Sequence, residues 1–146
     1  MPDSLTFIMA GYSVAPLATK LGIKSGSRVA ALHAPADVTS LLDPIPAGVP
    51  LAKQISASTD LVLAFYEQRA ALETEILRLH KAAFPNRALW LARPKKTSGR
   101  PTSITEDVIR EVVLPTGPVD VKTCAIDATW SALRCVIRKE LRIGPA

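Results

Sequence analysis

The stretch LVLAFY (Leu61–Tyr66) decides the fold, because it is apolar from end to end. A strand with one face in water alternates apolar and polar residues, whereas a strand covered on both faces is a continuous apolar run. The run is also far shorter than the roughly 20 residues that a membrane helix needs. It therefore predicts a central strand of a parallel sheet.

Two further strands are expected before this run. RVAALH (Arg28–His33) is apolar with turn signals on both sides, which is typical of a buried strand, and VPLAKQI (Val49–Ile55) is a weaker candidate. Between them a short helix must stop near Asp43, because the prolines that follow cannot continue it. Residues 1–27 show no long periodicity, apart from a possible short helix from Pro16 to Leu21 that ends at Gly22.

The clearest helix is expected from Gln68 to Phe84, just after LVLAFY. Arg69 and Glu73 are one turn apart in it and can pair. Its apolar residues recur at helical spacing and form one face, which consists of Leu72, Ile76, Leu79 and Ala83. ALWLAR (Ala88–Arg93) then returns as a strand, with Trp90 in the core.

ARPKKTSGRPT (Ala92–Thr102) follows this strand and carries four cations among hydroxyls and a glycine. The strand must end by Pro94, which lacks the amide that a central ladder requires, and the cations cannot be buried unpaired. An ordered, exposed loop at the carboxyl edge of the sheet is expected. Ser103 and Glu106 fit a capping box for the next helix, which stops at Pro115 and buries Ile104, Val108, Ile109 and Val112.

The last two runs, Val119–Ile126 and Ala132–Arg138, predict an antiparallel hairpin. If the hairpin turns around Thr129 and Trp130, Cys124 and Cys135 become near neighbours on one face. We expect these cysteines to be close but reduced. Trp130 is interpreted as a cap on the core, with a partner surface as the alternative.

This order of elements predicts a single α/β domain over residues 1–146. The expected architecture is a Rossmann-like, three-layer sheet that is mostly parallel, with an antiparallel C-terminal hairpin. It is like an abbreviated class I methyltransferase fold, which is an analogy of topology only.

The composition fits a globular protein with a mild positive charge. The N-terminus carries an acidic residue where a signal peptide is basic, so a cytoplasmic protein is expected. A formal net charge of +5 permits anionic partners without establishing any. Nucleic acid is disfavoured, because no recognised motif or aromatic platform accompanies the charge.

Three long stretches resemble a family of small bacterial proteins that is defined only as a domain of unknown function. They are AGYSVAPLATKLGIKSGSRVA (Ala10–Ala30), PKKTSG (Pro94–Gly99) and TEDVIREVVLPTGPVDVKTCAIDATWSALRCVIRKE (Thr105–Glu140). The chain departs from the family pattern where Leu, Val, Glu and Gly are expected, at Pro118, Thr123, Ala128 and Ala132. The alanine at 128 weakens any scheme that needs an acid there, and the resemblance implies no activity.

The sequence lacks the residues that several kinds of cofactor site, metal site and catalytic site require. The first strand ends in LHAPAD without the glycines that adenosyl or dinucleotide cofactors need, and the second offers Lys53 and Gln54 in place of a ribose-binding carboxylate. Lys96-Thr97 lacks the preceding glycines of a phosphate-binding P-loop. No set of metal ligands and no nucleophile with a base is visible. We therefore expect no cofactor, no metal and no catalytic residue, and the sequence favours a binding protein over an enzyme without deciding between them.

The candidate site follows from the rule that ligands gather at the carboxyl ends of parallel strands. Thr116, Gly117, Asp120 and Lys122 are expected to close over that edge, and the N-terminal segment to fold across it. The candidate ligand-binding residues are Tyr12, Ser13, His33, Lys95, Lys96, Thr97, Ser98, Thr116, Asp120 and Lys122.

Lysines, hydroxyls and a histidine suit an anionic small ligand, or a protein partner, bound without catalysis. One alternative is an enzyme of unrecognised type that uses His33 and the lysine loop, and a second is weak nucleic-acid binding. A purely solvated loop, in which Ser103 merely caps a helix, is the remaining interpretation.

Overall fold

A six-stranded mixed sheet forms the middle layer of the molecule. The structure is a computed structural model, and it describes residues 16–46, 48–83, 87–116 and 118–137. The strands are β1 (Val29–Leu32), β2 (Leu51–Ala52), β3 (Leu61–Phe65), β4 (Ala88–Pro94), β5 (Pro118–Ala125) and β6 (Trp130–Ile137). Their order across the sheet is β2-β1-β3-β4-β6-β5.

The sheet is parallel from β2 to β4, whereas β6 runs antiparallel to both β4 and β5. Every residue of β3 is buried, as its apolar run predicts. The mostly parallel sheet with an antiparallel C-terminal hairpin confirms the predicted fold class. β2 is only two residues long and lies at an edge, which fits its weak sequence signal.

Helices and loops cover both faces of the sheet, so the architecture has three layers. The helices are α1 (Leu17–Leu21), α2 (Val38–Leu41), α3 (Arg69–Ala83) and α4 (Glu106–Val113). One apolar core joins the sheet to α3 and α4, and another joins the opposite face to α1 and the residues around α2. None of the helices in the described ranges is long and apolar enough to cross a membrane.

The structure shows the local cause of the predicted end of α1 and contains the predicted ion pair of α3. Gly22 ends α1 with a φ of +89°, a left-handed conformation that costs glycine no Cβ clash. On α3, Arg69 Nε lies 3.0 Å from Glu73 Oε2, as the spacing predicts. Phe84, the predicted last residue of α3, lies outside the described residues.

The predicted capping box at Ser103 and Glu106 is wrong. α4 begins at Glu106, and its cap is Thr105, whose Oγ1 accepts a hydrogen bond from the Val108 amide at 3.1 Å. Ser103 Oγ instead accepts from the Arg69 amide at 2.7 Å, at the start of α3. Both Ser103 and Thr105 are good capping residues, and only tertiary structure decides which helix each one serves.

The hairpin is confirmed, but its predicted register is wrong. The turn centres on Ala128, because Asp127 Oδ1 accepts hydrogen bonds from the amides of Thr129 and Trp130. Cys124 therefore pairs with Ala132, and a bulge after Asp120 shifts the rest of the ladder. The cysteines lie on opposite faces of the sheet, in different cores, because an odd shift in register inverts every side chain. Both are free thiols.

Both tryptophans are core residues. Trp90 is 1% exposed, and its Nε1 donates a hydrogen bond to the Leu21 carbonyl at 2.9 Å. Trp130 is the first residue of β6 rather than a turn residue, and it packs edge-on against Phe65 with ring centroids 5.0 Å apart. The interpretation of Trp130 as a cap on the core is therefore confirmed.

Candidate functional site

Three strand ends lie side by side at the carboxyl edge of the parallel sheet, as predicted. β1 ends before His33, β3 before Tyr66 and β4 before Lys95, and the three strands are consecutive neighbours in the order β1-β3-β4. After β1 the chain forms β2 on one side of β1, and it then crosses to form β3 on the other side. The direction in which strands are added to the sheet therefore reverses between β1 and β3. Such a switch point is the usual place for ligands in open α/β sheets.

The segment after β4 forms an ordered loop that ends in a short 3-10 turn at Lys96–Ser98. The Lys95 amide bonds to the Thr129 carbonyl at 2.7 Å, and Ser98 Oγ bonds to the Lys95 carbonyl at 2.6 Å. Gly99 closes the turn with a φ of +72°. Lys96 and Thr97 are exposed, so the expected exposed loop is confirmed.

This loop and the start of α4 border an open hollow of about 610 Å³ that we call the lysine hollow. It is lined by Arg93, Lys95, Lys96, Thr97, Thr105, Glu106, Asp107, Arg110 and Ser131. The volume lies within the range typical of small-molecule sites.

The charges of the lysine hollow are unequally paired. Glu106 lies 3.5 Å from Arg93 and 3.0 Å from Arg110, so one carboxylate serves two guanidinium groups. Lys95 and Lys96 form no ion pair with a carboxylate of the described residues. The hollow therefore holds an excess of positive charge, with its two lysines as the available cations.

A second hollow of about 430 Å³ lies between the ends of β1 and β3, and we call it the switch hollow. Its lining comprises His33, Phe65, Tyr66, Glu67, Gln68, Ala71, Thr74 and Glu75. His33 has a φ of +54°, which is uncommon for a residue with a side chain. The imidazole and the Tyr66 ring meet edge-on, with centroids 5.4 Å apart.

Glu75 is the centre of the polar groups in the switch hollow. Its Oε1 accepts from Tyr66 Oη at 2.5 Å and lies 2.8 Å from His33 Nε2, while Oε2 lies 3.3 Å from Arg78. Burial by itself raises the pKa of Glu75, but the hydrogen bonds from Tyr66 and His33 and the charges of His33 and Arg78 outweigh it, so the pKa lies below its usual value. Burial and the bond to Glu75 raise the pKa of Tyr66 far above its usual value.

One segment separates the two hollows. Thr102 Oγ1 and the Ser103 amide both donate to the Glu67 carbonyl, at 2.7 and 3.0 Å, and Ser103 Oγ bonds to Gln68 Oε1 at 3.2 Å. The lysine hollow and the switch hollow share no lining residue. A single site that combines His33 with the lysine loop, as one sequence-based alternative requires, is not assembled by the described residues.

The expectation that Thr116, Asp120 and Lys122 close over the carboxyl edge is wrong. Thr116 precedes β5, which starts beside the amino ends of the parallel strands, opposite to their carboxyl ends. Asp120 pairs with Cys135, which lies near the start of β4. Lys122 pairs with Arg134 in mid-sheet. The chain reaches this position because α4 runs back along the sheet before β5 begins. Tyr12, Ser13 and Gly117 lie outside the described residues.

Sequence reasoning missed the partners that complete each hollow. Glu75 and Arg110 fall within predicted helices and Ser131 lies between the two runs of the predicted hairpin, and none of the three is a predicted site residue. Their pattern signals secondary structure, whereas their role depends on which strand end each helix packs against. The described residues contain no group of three or more histidine, cysteine, aspartate or glutamate side chains placed to hold a metal.

Comparisons with known proteins support a statement about the fold and about nothing else. No family model and no curated protein matches the sequence. Among solved structures, the chain is similar to the crystal structure of a SAM dependent methyltransferase from Aquifex aeolicus, with a TM-score of 0.59 and 10% sequence identity. The match covers 82% of this chain and 87% of that chain. The protein therefore has a Rossmann-like fold of the kind found in that methyltransferase.

Proposed function

We propose that the protein binds a small anionic ligand in the lysine hollow, without catalysing a reaction there. The observation that carries this proposal is the pairing of charge: the carboxylates of the hollow face its arginines, and the two lysines are left for an anion. The fully solvated interpretation explains the exposure of Lys96, but it does not explain why two arginines, two lysines and two hydroxyl side chains besides the capping threonine line one hollow.

Further groups support an anion at this place. The hydroxyls of Thr97 and Ser131 line the same hollow and can donate hydrogen bonds. Arg93 is largely buried, with a side chain that is 17% exposed, so its charge acts in a medium less polarisable than water. The start of α4 adds little positive potential for an anion, because Thr105 caps it and two acidic residues in its first turn already complement it.

The proposal predicts a ligand of limited size, such as a phosphate ester or a polycarboxylate. The other proposals from the sequence, a cytoplasmic location and membership of the family that the sequence resembles, agree with it but do not specify it. Nucleic-acid binding is the competing proposal, and it predicts an affinity that falls steeply with salt through release of many counterions.

The test is calorimetric titration with inorganic phosphate, pyrophosphate and citrate. The variant K95A/K96A is compared with K24A/K81A, which removes the same two charges from exposed positions elsewhere. K95A/K96A should weaken binding at least about tenfold, since one charge-assisted hydrogen bond contributes roughly 1.5–3 kcal/mol. Equal loss in both variants, or no binding of any of the three anions to the unmodified protein, would contradict the proposal.

A further inference from the structure

We propose that His33 is a general base that takes a proton from a small anionic carbonyl compound through its Nδ1 atom. Glu75 and Tyr66 are positioning residues in this proposal. It goes beyond the proposed function, and it uses no residue of the lysine hollow.

The hydrogen bonds of Glu75 determine which nitrogen of His33 can act as the base. An ionised carboxylate has no proton, so it only accepts hydrogen bonds. Tyr66 Oη donates to Glu75 Oε1, and His33 Nε2, 2.8 Å from the same oxygen, must also be a donor. In the neutral imidazole the proton therefore lies on Nε2, and Nδ1 carries the free lone pair.

His33 Nδ1 is also available to a ligand. No hydrogen bond joins it to a described residue, and the side chain is 50% exposed. Besides the switch hollow, His33 lines an adjoining hollow of about 460 Å³ with Lys53 and Arg78. A base oriented by a carboxylate, at the switch point of the sheet, is the arrangement expected of a proton-transfer site.

The neighbouring cations indicate the class of substrate. Lys53 is exposed and forms no ion pair with a described carboxylate. Among the described carboxylates, Arg78 pairs only with Glu75, through Oε2. A carboxylate or phosphate group on the substrate can therefore bind beside His33. Proton removal from carbon next to a carbonyl needs no cofactor when a cation stabilises the oxygen of the enolate, and Lys53 and Arg78 are the cations that line the adjoining hollow. The proposed substrate is therefore a small keto acid or a phosphorylated ketone.

The proposed step is balanced without a co-reactant. The substrate C–H bond breaks, its proton forms a bond to His33 Nδ1, and its electron pair forms an enolate on the carbonyl oxygen. The imidazolium is then stabilised by Glu75, which lies on its other nitrogen. Return of a proton to carbon regenerates the carbonyl compound, so in D₂O the substrate gains deuterium.

The first test is the protonation of His33. Long-range ¹H–¹⁵N spectra of the protein at alkaline pH should show His33 as the Nε2–H tautomer, and E75Q should alter this signature. His80 is the other histidine of the chain and serves as the internal reference. A proton on Nδ1 in the unmodified protein would overturn the proposal.

The second test is deuterium exchange of pyruvate, 2-oxoglutarate and dihydroxyacetone phosphate in D₂O, followed by ¹H NMR. The protein should accelerate exchange of at least one of them. H33N and E75Q should each lose at least tenfold of that rate, whereas H80Q should retain it. Asparagine tolerates the left-handed backbone of position 33, so H33N removes the base without forcing the chain to move. No acceleration with any of the three compounds, or full exchange by H33N, would overturn the proposal.

Discussion

Ser103 caps a helix to which it does not belong: its Oγ accepts a hydrogen bond from the Arg69 amide at 2.7 Å, across 34 residues of sequence. The bond fixes the start of α3 against the segment that leads into α4. Arg69 itself reaches Glu111 of α4, with Nη1 2.8 Å from Oε1. The two helices that border the hollows are therefore joined at their polar surfaces as well as through the core.

The cap predicts where S103A opens the structure. The variant should lose about 1 kcal/mol of the free energy of unfolding, as other capping residues do. Amide hydrogen exchange should accelerate in the first turn of α3, whereas T105A should accelerate it in the first turn of α4. Faster exchange in α4 alone in S103A would contradict the assignment.

The hydrogen bond of Trp90 predicts that the two tryptophans are not equivalent. W90F removes the donor to the Leu21 carbonyl and should destabilise the protein by about 2 kcal/mol, since an unsatisfied buried acceptor costs roughly 1–3 kcal/mol. W130F loses ring area and the contact with Arg100, and should cost less. Urea unfolding of both variants checks the order, and an equal or larger loss in W130F would contradict it.

The pKa of Glu75 predicts a pH dependence of stability. The folded protein holds this pKa below its ordinary value of 4.5, so near that pH the unfolded chain binds more protons. The contribution of Glu75 is therefore complete above pH 4.5 and is lost as the pH falls through the folded pKa. Urea unfolding across the acid range should show that E75Q lacks this loss. E73Q, on the exposed side of α3, should retain it.

The hairpin register predicts the behaviour of the thiols. Cys124 and Cys135 lie on opposite faces of one sheet, so oxidation should not join them, and reduction should leave the intact mass unchanged. Burial raises the pKa of Cys124, although the charges of Lys20 and Lys122 oppose this, so alkylation of the native protein should be slow. A cross-linked peptide that contains both cysteines would contradict the register.

Local patterns predicted the elements, and long-range contacts decided the rest. LVLAFY indicates a covered central strand whatever lies around it, and the helical spacing of Leu72, Ile76 and Leu79 determines the buried face of α3. The hairpin register depended on one side-chain turn at Asp127 and on a bulge, which alternation of apolar residues does not signal.

In the candidate site too, some residues follow from local sequence pattern and others depend on long-range contacts. His33 and Lys95–Ser98 follow strands, so the rule on carboxyl ends places them correctly. Glu75 reaches His33 across 42 residues, and no local pattern marks that contact. Thr116 and Lys122 were misplaced because sequence order does not show that α4 returns the chain to the far edge.

The segment Thr102–Ser103 has a thermodynamic consequence for the two hollows that it separates. It bonds to Glu67 and Gln68 of one hollow and leads into Thr105 of the other. If an anion bound in the lysine hollow shifts this segment, it changes the affinity of the switch hollow for its own ligand. A ligand bound in the switch hollow then changes the affinity of the lysine hollow for the anion by the same factor. Any competition or cooperativity between ligands of the two hollows would therefore measure a movement of the segment Thr102–Ser103.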